Sequence, residues 1–157
     1  VIYLYIGALV AANLLVSFIG PWFSVVNSFF LIGLDLTLRD KLHDKWDGDP
    51  RKIGSLIVIA GVISYLLNPA SGQIAIASVV AFCLSMAVDS FVYQKLANKP
   101  WETRTTGSNV AGAAVDSVAF PTIAFGGLMP EIVAMQFVAK VMGGFLWTKL
   151  IKRGAAV

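Results

Sequence analysis

The chain has 157 residues, of which 57% are hydrophobic and only 13% charged, with a mean hydropathy of +0.78. That is about half the charged share of an ordinary soluble domain, too little to cover the chain with polar surface, so a free-standing soluble fold is excluded and one all-α integral membrane domain over residues 1–157 is predicted. The net charge of +3 does not point to nucleic acid, because the basic residues sit at the ends of apolar runs, as juxtamembrane lysines do.

At roughly 20 residues per span, this length accommodates about six spans in one compact domain. The first apolar run, 2–19, is too long and lacks a small-residue cleavage site, so it is read as a span and not as a secretory leader. Gly7, Ala8, Ala11 and Ala12 form overlapping small-xxx-small pairs on it, which serve close packing or, alternatively, docking of another membrane protein or a second copy. Gly20-Pro21 separates it from a run over 22–38 that ends in Arg39, Lys41, Lys45, Arg51 and Lys52. The third run, 53–67, is the shortest, and Asn68-Pro69-Ala70-Ser71-Gly72 turns it into the fourth, 74–93. Lys95, Lys99 and Arg104 lead to the fifth, 110–125, which Gly126 to Pro130 joins to the sixth, 132–151, closed by Lys149, Lys152 and Arg153. Eleven of the twelve basic residues therefore fall on one side of the membrane, and the positive-inside rule predicts a multi-pass inner-membrane protein with both termini cytoplasmic.

The twelfth, Lys140, lies within a span, as does Asp116. At 1.5 Å per residue, Asp116 sits about 13 Å from a helix start near Gly107 on the cytoplasmic side and Lys140 about 15 Å from one near Pro130 on the other, so antiparallel helices carry opposite charges to one depth near the midplane. Such charges are costly in lipid and need a partner or a wet cavity. Either they form a substrate or ion site, or a buried salt bridge that fixes helix register. Asn109, Gly112, Ala113, Asp116 and Phe120 share one face of the fifth span, and Gln136, Lys140, Gly143 and Trp147 one face of the sixth. These stripes resemble a cavity wall more than solid packing. Pro121 frees the carbonyl of Ser117, which suits a broken helix at a site or a simple kink.

Asp35 and Asp89 lie near the ends of spans two and four, where helix-end anchoring competes with a functional role; Arg39, at i+4 from Asp35, can pair with it. The segments holding them, LDLTLRDKLHDK at 34–45 and VDSFVYQKLANK at 88–99, share Asp, Lys-Leu and Lys at equal offsets. Internal duplication or a shared need for a basic helix end accounts for this. Asn13 and Asn27 glue helices or face the cavity. Cys83 is expected to be a small buried hydrophobe and His43 a solvated loop residue. One histidine and one cysteine cannot form a multi-histidine iron or zinc site, and no Ser or Cys nucleophile has a His base. No enzyme activity, catalytic residue, metal or cofactor is expected.

The stretches LDLTLRDKL at 34–42, VDSFVYQKL at 88–96, SNVAGAAVDSVAFPTIAF at 108–125 and FVAKV at 137–141 resemble the queuosine precursor transporter family, also called the vitamin uptake transporter family. Its most specific part is Asn109, Asp116, Phe120 and Phe125 with Lys140. The resemblance implies six helices similar to the substrate-binding subunits of energy-coupling-factor transporters, and import of a 7-deazaguanine such as 7-cyano-7-deazaguanine. The alternative is the capturing subunit of such a pump for a vitamin-like molecule, docking through its first span. A guanine-like base fits the residue types: one carboxylate accepts its N1–H and amine together, Asn, Gln or Lys donates to its carbonyl, and an aromatic stacks on its face. The expected substrate-binding set is Asn109, Asp116, Phe120, Gln136 and Lys140, with Asp35 and Asp89.

Overall fold

The computed structural model describes the backbone of residues 1–46 and 49–154 and their side chains, except those of residues 40, 43, 44, 50, 101, 102, 104, 105, 148 and 152–154. The expectation for His43 and the placements of Arg104, Lys152 and Arg153 lie outside the described side chains. The described chain is helical and contains no strand: α1 (Ile2–Ile19), α2 (Phe23–Asn27), a π-helical turn (Ser28–Ile32), α3 (Gly33–Lys45), α4 (Pro50–Leu67), a 3-10 turn (Pro69–Ser71), α5 (Gly72–Lys95), α6 (Trp101–Phe125) and α7 (Pro130–Gly154). Asn27, Ser28 and Gly33 keep right-handed helical dihedrals. Hence α2, the π turn and α3 continue as one rod, and six helical rods stand where six apolar runs were expected.

Local chemistry sets the ends. Asp49 caps α4 by accepting from the Arg51 amide at 3.0 Å, with Pro50 in the first turn, where a missing N–H costs nothing. Gly126 ends α6 at φ 74°, a left-handed conformation suited to glycine. The largest departure from expectation is the start of α6, nine residues before the apolar run at Val110. The polar stretch from Trp101 is helical because Pro100 turns the chain immediately before it, and a hydropathy pattern is blind to polar helix.

Pairings across the bundle reveal rod directions. Asn13 meets Ser64 and Asn68 meets Ser17, both with an offset of 51 residues, so α1 and α4 run parallel. Gln73 donates to the Ile123 carbonyl while Gly112 lies against Ser85 and Asp89, so α5 and α6 are antiparallel, and they form the most extensive helix pair. The second rod runs parallel to α7, with Ser24 beside Gln136 and Phe30 beside Trp147. Here backbone touches backbone: a Cβ on Gly33 would lie 2.6 Å from the Gly143 carbonyl carbon, and one on Gly143 would strike the Phe29 carbonyl oxygen. In the π turn the Phe30 carbonyl accepts from Trp147 Nε1 at 2.9 Å as well as from the Gly33 amide; such turns disrupt the ordinary helical ladder. Gly112 and Gly143, expected on a cavity wall, thus serve solid packing.

An apolar core around Tyr5, Leu42 and Ile53 is joined inside by polar groups, and the exterior is rich in apolar side chains. Every rod exposes large apolar side chains, among them Tyr3, Phe30, Val62, Ile76, Val118 and Met142, while Asn13, Ser24, Asn27, Ser117, Gln136 and Lys140 are buried. Cys83 departs from its expected burial: it is exposed, because heptad spacing sets it on the outer face of α5 with Ile76 and Val80 and away from the buried Ala81, Phe82 and Ser85. On α1 the small residues divide. Ala8 and Ala12 are buried, whereas a Cβ on Gly7 would meet nothing within 4 Å. Among the described residues, two stretches, Ile2–Ile19 and Pro69–Lys95, are long and apolar enough to cross a membrane by themselves.

Candidate functional site

Inside the bundle lies a cavity of about 60 Å³, several times the 10–15 Å³ one water needs. Its lining includes Asn13 of α1, Ser24 and Asn27 of α2, Asp35 and Arg39 of α3, Ser78 and Ser85 of α5, Asp116 and Phe120 of α6, and Gln136 and Lys140 of α7.

The charged centre is the ion pair of Lys140 Nζ and Asp116 Oδ2 at 2.6 Å. Lys140 is 2% exposed and Asp116 23%. The ammonium also donates to Gln136 Oε1 at 3.0 Å and Ser117 Oγ at 3.3 Å, so its three N–H donors are all engaged. Gln136 Nε2 donates to Ser24 Oγ at 2.7 Å, and the Ser24 hydroxyl donates to the Pro21 carbonyl at 2.5 Å. A relay therefore runs from α6 through α7 to the α1–α2 connection. It holds the lysine wholly inside and leaves the carboxylate as the half of the pair that meets the open space.

Phe120 also lines the cavity, and Phe125 braces it edge-on with centroids 6.1 Å apart at 84°. Asn27 Nδ2 donates to the Ala12 carbonyl at 3.1 Å, while its Oδ1 is buried without a hydrogen-bond partner.

Of the residues expected at a site, the cavity gathers Asp35, Asp116, Phe120, Gln136 and Lys140. Asn109 lies two turns before Asp116 on α6 and outside the lining, and Asp89 lies against Gly112 at the α5–α6 contact. The sequence echo thus sends its two aspartates to different surroundings. Ser24 and Arg39 were not anticipated here. Arg39, counted among the cytoplasmic basic residues, is 8% exposed and lies 5.7 Å from the centroid of the Phe82 ring. The signal was present: Ser24, Asn27, Ser28, Asp35 and Arg39 recur at helical spacing along the second rod, but its apolar neighbours masked the stripe.

A helical bundle with an apolar exterior and an internal cavity built on a partly exposed carboxylate has the architecture of a small-molecule carrier. The chain belongs to the family described as "Putative vitamin uptake transporter", whose model matches residues 4–153 and which includes the queuosine precursor transporters. No curated protein and no solved structure matches the chain.

Proposed function

We propose that the protein spans the inner membrane six times, in a helical arrangement similar to the substrate-binding subunits of energy-coupling-factor transporters, and imports a 7-deazaguanine precursor of queuosine. Supporting the membrane disposition, Lys95 and Lys149 fold over Phe91 and Phe145 at the ends of parallel rods, as basic side chains do when they reach from an apolar stem to a membrane surface. Both termini lie on that cytoplasmic side. Cysteines at Ala70 and Leu128, in a Cys83→Ala background, react with an impermeant thiol reagent added outside cells, and one at Lys99 does not; the opposite pattern overturns the orientation. Leu128 and Lys99 are both exposed, so accessibility alone does not produce the contrast. Ser71 is unsuitable, being buried and bonded to the carbonyls of Ser64 and Asn68.

The observation that carries the substrate reading is the Asp116 carboxylate, fixed by Lys140 yet open to the cavity. A carboxylate has about four lone-pair sites, so the ion pair leaves acceptors for a second partner. The N1–H and exocyclic amine of a guanine-like base present two donors side by side for that purpose. Lys140 has no donor left for the substrate; it acts by positioning and neutralising Asp116. Phe120 supplies a braced aromatic face for stacking, worth about 1–3 kcal/mol per base in single-strand binders. Gln136 supports the lysine. Uptake of labelled 7-cyano-7-deazaguanine by cells expressing the protein tests the assignment. Guanine-edge bases should compete, adenine and cytosine should not, and absence of protein-dependent uptake overturns the substrate.

A further inference from the structure

The cavity contains an acceptor for which the base-recognition scheme has so far no use. Asn27 is 5% exposed and belongs to the lining. Its amide orientation follows from chemistry: the group facing the Ala12 carbonyl must be the donor, and Nδ2 occupies that position at 3.1 Å, because two oxygens would repel each other there. Oδ1 is therefore the remaining atom, and it is buried with no hydrogen-bond partner. Buried acceptors are ordinarily satisfied. An unpartnered acceptor on a residue of the cavity wall is suited to a donor that arrives with a ligand.

We propose that Asn27 is a specificity-determining residue whose Oδ1 accepts the pyrrole N–H of a free 7-deazaguanine base. This rests on the substrate reading above. With the N1–H and amine held by Asp116 on α6, the base has one ring donor left, the N9–H at its five-membered end. Asn27, on a different rod, offers the acceptor. The chemical consequence is selection of the free base over any N9-substituted form, including the nucleoside, since a substituent at N9 removes the donor and inserts bulk against a buried oxygen. The relay that anchors Gln136 on Ser24, one turn before Asn27, also holds this stretch of α2, so the same rod carries the acceptor and supports the lysine that orients Asp116.

Equilibrium binding of 7-deazaguanine and 9-methyl-7-deazaguanine to the purified full chain and to Asn27→Ala tests the proposal. The parent should prefer the free base by at least about tenfold, the order expected for loss of one buried hydrogen bond. In Asn27→Ala the free base should lose about tenfold and the methylated base should be unchanged or tighter, because the shorter side chain removes the acceptor and opens room. The preference then collapses. Equal affinities for the two bases in the parent overturn the assignment without reference to any variant. A loss by the same factor for both ligands in Asn27→Ala also overturns it, showing that Asn27 only props α2 against α1. Failure of the parent to bind either base removes the substrate reading and this inference with it, whereas free-base binding without discrimination at N9 removes Asn27 alone.

Discussion

Two polar networks cross the interior of this bundle, and they end differently. Around Asn13 every described link closes on protein: Nδ2 donates to Ser64 Oγ at 3.2 Å, Oδ1 accepts from Ser78 Oγ at 2.6 Å, and Ser64 donates on to the Ala60 carbonyl at 2.8 Å. Around Lys140 the links are as numerous, but one end is the 23% exposed carboxylate of Asp116, and nearby Asn27 Oδ1 has no partner. A closed network of neutral groups ties helices α1, α4 and α5 together and asks nothing of a ligand. An open one keeps acceptors in reserve. Burial and polarity alone do not distinguish glue from site.

The comparison can be broken first at the charged network, where the largest effect is expected. Asp116→Asn removes the counter-charge from a 2% exposed lysine and should cost about 3 kcal/mol of stability in unfolding experiments, the lower end of the range for broken buried pairs because the carboxylate is partly solvated. Asp116→Asn combined with Lys140→Met should recover most of that loss. If the single variant is as stable as the parent, the ion pair does not hold the open network together. A smaller effect is expected at the packing that supports it. Gly143→Ala drives a methyl against the Phe29 carbonyl and should lower stability by about 1–3 kcal/mol through separation of α7 from the second rod; an unchanged melting temperature contradicts that contact. The smallest belongs to the closed network: Asn13→Ala should cost about 1 kcal/mol, since the hydroxyls of Ser64 and Ser78 can rotate to other acceptors.

How far the sequence reveals this arrangement depends on the kind of signal. Apolar runs and turn residues mark all six rods, because both are local, and the depth argument brings Asp116 and Lys140 to one level because helical rise is constant. Their ion pair follows once α6 and α7 pack. What local pattern cannot convey is which neighbour fills a given face. Gly112 and Gly143 share stripes with Asp116 and Lys140, yet α5 and the π turn press against them, and nothing in the spacing distinguishes a glycine that lines space from one that admits a backbone. Arg39 reads as a membrane-surface cation because it follows an apolar run; inside the bundle it lies beside Phe82, 43 residues away. Asn27 was legible as glue or as a cavity residue. It is both: its Nδ2 bonds the Ala12 carbonyl, and the residue belongs to the cavity lining.

The central claim is that the open network recognises a guanine-like edge through Asp116 while the closed one only holds helices. Equilibrium binding of 7-cyano-7-deazaguanine to the parent, Asp116→Asn and Ser64→Ala, each first shown to be folded, tests it in one series. In Asp116→Asn the amide presents a donor toward ligand donors, so affinity should fall by at least about tenfold. In Ser64→Ala affinity should stay within about twofold, since Ser64 belongs to the closed network, outside the cavity lining, and its hydrogen bonds all end on protein. Unchanged affinity in Asp116→Asn, or an equal loss in the two variants, would contradict the account.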